Sequence, residues 1–186
     1  CFADEMPLDK LSEIFTPMIR MNMDIAREGM TGKWGLGIGP LLLQDNEGSV
    51  VAKMRAWTCA GSEARMAGCS LPVVINSGSG NQGIASSVPV IVYCREKGLP
   101  EEMLLRGLAF SSLLTVFQKE YIGKLSAFCG AVSAACAAGA AITYLEKGTL
   151  EQIQATIENT MADIPGIICD GAKISCAAKI ASALDA

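Results

Sequence analysis

Between Lys124 and Glu146 the sequence KLSAFCGAVSAACAAGAAITYLE runs for 21 residues without a charge. That length could span a bilayer, which needs about 20 apolar residues. The composition weighs against a span, because only Leu125, Phe128, Val132, Ile142, Tyr144 and Leu145 are bulky and insertion draws on such side chains. A buried central helix fits better, since Ala, Gly, Ser and Cys let neighbouring backbones approach closely. Two cysteines lie inside the segment. Cys129 and Cys136 are seven residues apart, about two turns along nearly the same face, and could simply pack as small hydrophobes.

At 186 residues the chain fits one domain that buries roughly 70% of its unfolded surface. About half the residues are apolar and 18% are charged, which describes a folded core rather than a disordered segment. Lys and Arg total 15 against 19 for Asp and Glu, with pI near 4.9, so no basic face for nucleic acid is expected. The absence of His removes the usual general base and the commonest metal ligand. Chemistry therefore falls to Cys, Lys, Ser, Asp, Glu or a cofactor. Eight cysteines in a chain this long and apolar, with no basic-then-apolar leader, fit a reducing cytoplasm better than a stapled secreted scaffold. The start at Cys1, directly in a helical pattern, suggests the C-terminal part of something longer.

The chain reads as mainly α, a single compact helical domain. Leu8, Leu11, Ile14, Phe15, Met18 and Ile25 recur at helical spacing, with Pro17 expected to kink or divide the helix and Thr16 available as a cap. Residues 32 to 40, GKWGLGIGP, read as a loop and lack the context of a phosphate cradle. A second helical pattern runs from Gly48 to about Gly68, with Trp57 as a core or interface anchor. Residues 71 to 75, LPVVI, are a short strand or an extended lead-in. NSGSGNQG, residues 76 to 83, has no large apolar side chain and is not expected to pack a core. Residues 84 to 94 are ambiguous by periodicity, with Pro89 arguing against a central strand. Pro100-Glu101-Glu102 starts a helix of five turns or more. Thr149 and Gln152 form a capping box before the stripe Leu150, Ile153, Ile157, Met161, and GAKISCAAKIASALDA makes a final helix after Pro165-Gly166.

Cys169, in IICDGAK, and Cys176 seven residues later lie near the start of that last helix, where free N–H groups suit a thiolate. Spacing alone makes Cys129, Cys169 and Cys176 weak evidence for a metal, because no CxxC pair is present.

ARMAGCSLPVVINSGSGNQGI, YIGKLSAFCGAVSAAC and IICDGAKISCAAKIASALDA carry more than spacing. They resemble the C-terminal half of the serine dehydratase-like family that contains the iron-sulfur L-cysteine desulfidases. The resemblance covers nearly the whole chain from about Leu8. It implies a 4Fe-4S cluster held by Cys129, Cys169 and Cys176, with one iron open to act as a Lewis acid on the substrate's β-leaving group. It also gives the glycine-rich loop a purpose, with Asn76, Ser77, Ser79, Asn81 and Gln82 holding an amino acid's carboxylate and amine or merely shaping a turn. Lys124 and Lys173 flank the cluster motifs and could hold a carboxylate or offset cluster charge, or be solvated surface lysines. Cys136, Cys59, Cys69 and Cys94 are expected to pack.

The family's amino-terminal half, with its GCTEP motif, has no counterpart here. The resemblance therefore implies a cluster-binding half that is inactive alone, partnered by the missing half, with the catalytic base unassigned. The expected reaction is β-elimination of L-cysteine to pyruvate, ammonia and hydrogen sulfide. L-serine dehydration and a non-catalytic amino-acid-binding or oligomerisation role, including a homo-oligomer, are the competing expectations.

Overall fold

The computed structural model describes residues 2–44, 46, 48–123, 126–165 and 167–186. Among them nine helices form the whole architecture, with two isolated bridges and no sheet. α1 (Phe2–Glu5) is a single turn, tied to the body by Arg106, whose guanidinium donates to the carbonyls of Ala3 and Asp4 at 2.7 and 2.8 Å. α2 (Leu8–Gly29) brings Leu11, Phe15, Met18, Asn22, Ile25 and Ala26 to one buried face at helical spacing. Of the two expected effects of Pro17, a kink or a division, it shows no division and runs as one helix through the proline. The carbonyl left without a partner belongs to Glu13, an exposed residue, so the missing N–H falls on the solvated side.

α3 (Ile38–Gln44) begins inside the glycine-rich loop, and α4 (Val50–Met66) follows with Ser49 as its N-cap, accepting from the Ala52 N–H at 3.3 Å. Trp57 is half-buried against the main core. α5 (Gly80–Glu96) is the most enclosed element: Gly80 through Cys94 are all buried among α2, α4, α6 and α7. Pro89 lies within it. The hydroxyl of Ser111, on α6 (Glu101–Ile122), donates to the Ser86 carbonyl at 2.7 Å and supports the turn that the proline weakens.

The uncharged segment becomes α7 (Gly130–Leu145), with Ala131 to Ala138, Ala140 and Ala141 buried. It packs on α5, α6, α8 (Leu150–Asp163) and α9 (Ser175–Ala183). The expected central small-residue helix is present, shorter than the uncharged run and sharing the centre with α5. No helix among the described residues is long and apolar enough to cross a membrane. The capping box at Thr149 and Gln152 forms as expected.

Residues 71–75 form no strand. Val74 pairs instead with one side chain: Asn22, fully buried on α2, accepts from the Val74 N–H at 2.9 Å and donates to its carbonyl at 3.3 Å. The same amide donates to the Gly83 carbonyl and to Ser87 Oγ, at 3.2 and 2.9 Å. Asn22 thus fastens an extended segment to α5, as a neighbouring strand would otherwise do. NSGSGNQG divides. Its first half is a tight turn closed by mutual Asn76 and Ser79 backbone bonds, with Ser77 and Gly78 at φ 47° and 85°. Its second half is the buried first turn of α5, against the expectation that it packs no core. Gly83 makes this burial feasible, because a Cβ there would meet the Val74 carbonyl oxygen at 2.0 Å.

Candidate functional site

The two cysteine motifs are fastened to each other by backbone. The Cys129 N–H donates to the Ile167 carbonyl at 2.9 Å, and the Cys169 N–H to the Ala127 carbonyl at 2.7 Å, on either side of the antiparallel Phe128–Ile168 bridge. Cys129 therefore serves as the N-cap of α7 rather than lying inside a longer helix. Cys176 sits in the first turn of α9, its thiol directed to the Gly171 carbonyl at 3.7 Å. The last helix starts at Ser175, later than expected, because residues 169–174 form the loop that presents Cys169, with Gly171 at φ 94°.

Cys129, Cys169 and Cys176 all line one cavity of about 300 Å³. Ser79, Asn81 and Gln82 line it too, at the start of α5. Three helix N-termini, those of α5, α7 and α9, thus meet at the cavity and direct partial positive charge toward it. Ser79 makes no side-chain capping bond, so its hydroxyl is not consumed by the helix. Gln82 Oε1 is fully buried without a partner, and its amide presses on Gly130, where a Cβ would meet it at 2.6 Å.

Two cations line the same cavity that pattern reading did not single out, Arg65 from α4 and Lys119 from α6. Arg65 Nη1 donates to Asn81 Oδ1 at 3.3 Å, and its guanidinium lies where a Cβ on Gly80 would be, 2.4 Å from Nε. No Asp or Glu is among the described lining residues. Lys179 on α9 closes the back of the Cys169 loop, donating to the Ile168 carbonyl at 3.0 Å and pairing with Asp170. Asp170 holds the Lys179 ammonium above its usual range, with Cys129 and Cys176 adding to the effect, and Lys179 holds the Asp170 carboxyl below its usual range.

The remaining candidates fall elsewhere. Asn76 and Ser77 line a different groove, with Phe15, Met18, Val74 and Ala109. Lys173 is 61% exposed, pairs with Asp170 at 3.7 Å and does not line the cavity. Lys124 lies outside the described residues. Cys136 is buried away from the cavity, and burial pushes its thiol pKa up; Gln118 donates to its sulfur at 3.6 Å. Burial likewise pushes the thiols of Cys59 and Cys94 up to about 12 and about 11. Cys69 is half-buried against the core. All seven described cysteines are free thiols.

Among the described residues no group of three Cys, Asp or Glu converges tightly enough for a single metal ion. An iron-sulfur cluster makes a different demand, since its thiolates bind separate irons and stand farther apart. The three thiols of this cavity, backed by helix N-termini and Lys179 and with no described acid beside them, are the residues that could hold such a group.

The chain is 49% identical to a "UPF0597 protein" from Finegoldia magna and 50% identical to relatives of the same name from Lachnoclostridium phytofermentans and Treponema denticola. Each match takes in 99 to 100% of this chain and 44% of the relative, so the chain spans less than half the length of these curated relatives. No solved structure matches. The family model described as "Serine dehydratase alpha chain" matches residues 2–186. By that match, over essentially its whole length, the chain belongs to the serine dehydratase alpha chain family.

Proposed function

We propose that this chain is the cluster-binding and amino-acid-binding part of a β-eliminating lyase that converts L-cysteine and water to pyruvate, ammonia and hydrogen sulfide. The observation that supports the reading is the single cavity shared by Cys129, Cys169, Cys176 and the Ser79 to Gln82 helix start. A 4Fe-4S cluster held by these three thiolates would keep one iron free of protein ligands and supply Lewis acidity to the departing β-group.

The chain's own residues supply the surroundings. The N-termini of α7 and α9 and the Lys179 ammonium offset the negative charge of the thiolates. The first N–H groups of α5, with Ser79 and Asn81, orient the amino acid, and Arg65 keeps Asn81 in place. Asn76 and Ser77 shape the turn that presents Ser79. Loss of the α-proton and the β-group leaves aminoacrylate, which hydrolyses to pyruvate and ammonia.

The family description favours a second reading, dehydration of L-serine by the same elimination with hydroxide as the leaving group. The test is a steady-state assay of the anaerobically reconstituted full-length protein. A larger kcat/KM for L-cysteine, with sulfide and pyruvate formed in equal amounts, supports the first reading. Preference for L-serine supports the second, and no pyruvate from either overturns both.

A further inference from the structure

Lys119 is 7% exposed, and no hydrogen bond or ion pair joins its side chain to another described residue. Its stem is buried while its ammonium, which is not among the fully buried unpartnered atoms, reaches the cavity. Among the described residues no carboxylate lines the cavity that Lys119 lines. Its other cation, Arg65, makes one hydrogen bond, to Asn81 Oδ1 at 3.3 Å. The thiols of Cys129 and Cys176 already have Lys179 nearby. Lys119 is therefore available to an anionic group bound in this cavity, the substrate as well as the thiolates.

Gln82 lines the same cavity and carries an acceptor. It is 8% exposed, and its buried Oε1 can only accept. An orphaned buried acceptor is costly, and a small turn of the Gln82 amide toward the cavity would let a ligand's donor relieve it.

We infer that Lys119 binds the carboxylate of the amino-acid substrate and Gln82 Oε1 its ammonium, so that groups on α6 and α5 together select a free α-amino acid. The inference rests on the proposed amino-acid site and adds what that site distinguishes. Both the carboxylate and the ammonium are required, which disfavours simple amines, keto acids and hydroxy acids.

Two thiol probes separate the halves of this recognition. 3-Mercaptopropionate carries the carboxylate without the amine, and cysteamine the amine without the carboxylate. Their binding to the anaerobically reconstituted full-length protein is measured by calorimetry, alongside iron content and absorption spectrum. Lys119→Met is expected to weaken 3-mercaptopropionate about ten- to hundredfold and cysteamine less than about threefold, with iron unchanged. Lys119→Arg should restore most of the loss, and Gln82→Met should show the reverse preference. Equal weakening of both probes, no weakening of either, loss of iron in Lys119→Met, or failure of the wild type to bind either probe overturns the inference. If the probe pattern holds but no pyruvate forms from cysteine or serine, the reaction reading fails and the recognition stands.

Discussion

The Cys169 N–H donates to the carbonyl of Ala127 at 2.7 Å, joining two segments about forty residues apart in the chain. With the reciprocal bond from Cys129 to Ile167, it holds two of the three cavity thiols at a fixed register. The small-residue helix α7 begins where this register is set. Its N-terminus then points at the site rather than at bulk solvent.

Gly130 is the first residue of α7, and a Cβ there would meet the Gln82 amide at 2.6 Å. Because the obstacle is the end of a flexible side chain, Gly130→Ala should leave stability within about 1 kcal/mol of wild type. The displaced amide should raise KM for the amino acid roughly tenfold while iron content stays constant. Steady-state kinetics with parallel thermal melts check both parts.

Asn22 makes four hydrogen bonds in a fully buried position and fastens Val74 to the start of α5. Asn22→Ala leaves the Val74 N–H and the Val74 and Gly83 carbonyls without this partner, a loss of about 3 kcal/mol. Denaturant titration should show that loss as a lower midpoint at unchanged slope.

These elements differ in how legible they are along the chain. The capping box at Thr149 and the acidic start of α6 depend on residues within one turn of each other, so local pattern identifies them. The division of NSGSGNQG into a turn and a buried helix start depends on Val74 approaching Gly83, which no local pattern records. Arg65 and Lys119 each lie within ordinary helical sequence and resemble a solvated face until α4 and α6 pack beside α5. Lys173, read as a carboxylate or cluster partner or as a solvated lysine, adjoins a cysteine motif and turns to Asp170 and solvent. Motif resemblance, not spacing, selected the three cysteines that share the cavity.

The buried thiols carry a pH signature. Cys59 and Cys94 ionise in the fold only near about 12 and about 11, above the ordinary thiol value of 9.0. The unfolded chain therefore loses these protons first, so this contribution to stability is intact below pH 9.0 and declines as pH rises above it. In the iron-free protein at about pH 8, exposed Cys169 should be alkylated first among the described cysteines. Cys59, Cys94 and Cys136 should stay unmodified until the chain unfolds. Peptide mapping after timed iodoacetamide treatment gives the order.

The most direct test compares two cysteines of the same segment. Cys129→Ser and Cys136→Ser, in the full-length protein reconstituted anaerobically with iron and sulfide, are analysed for bound iron and for the absorption and EPR spectra of the cluster. Cys129→Ser should lose most of the iron and the cluster spectrum, while Cys136→Ser should retain both. Equal iron in the two variants, or loss only in Cys136→Ser, would contradict the assignment of Cys129, Cys169 and Cys176 as the cluster-holding cavity.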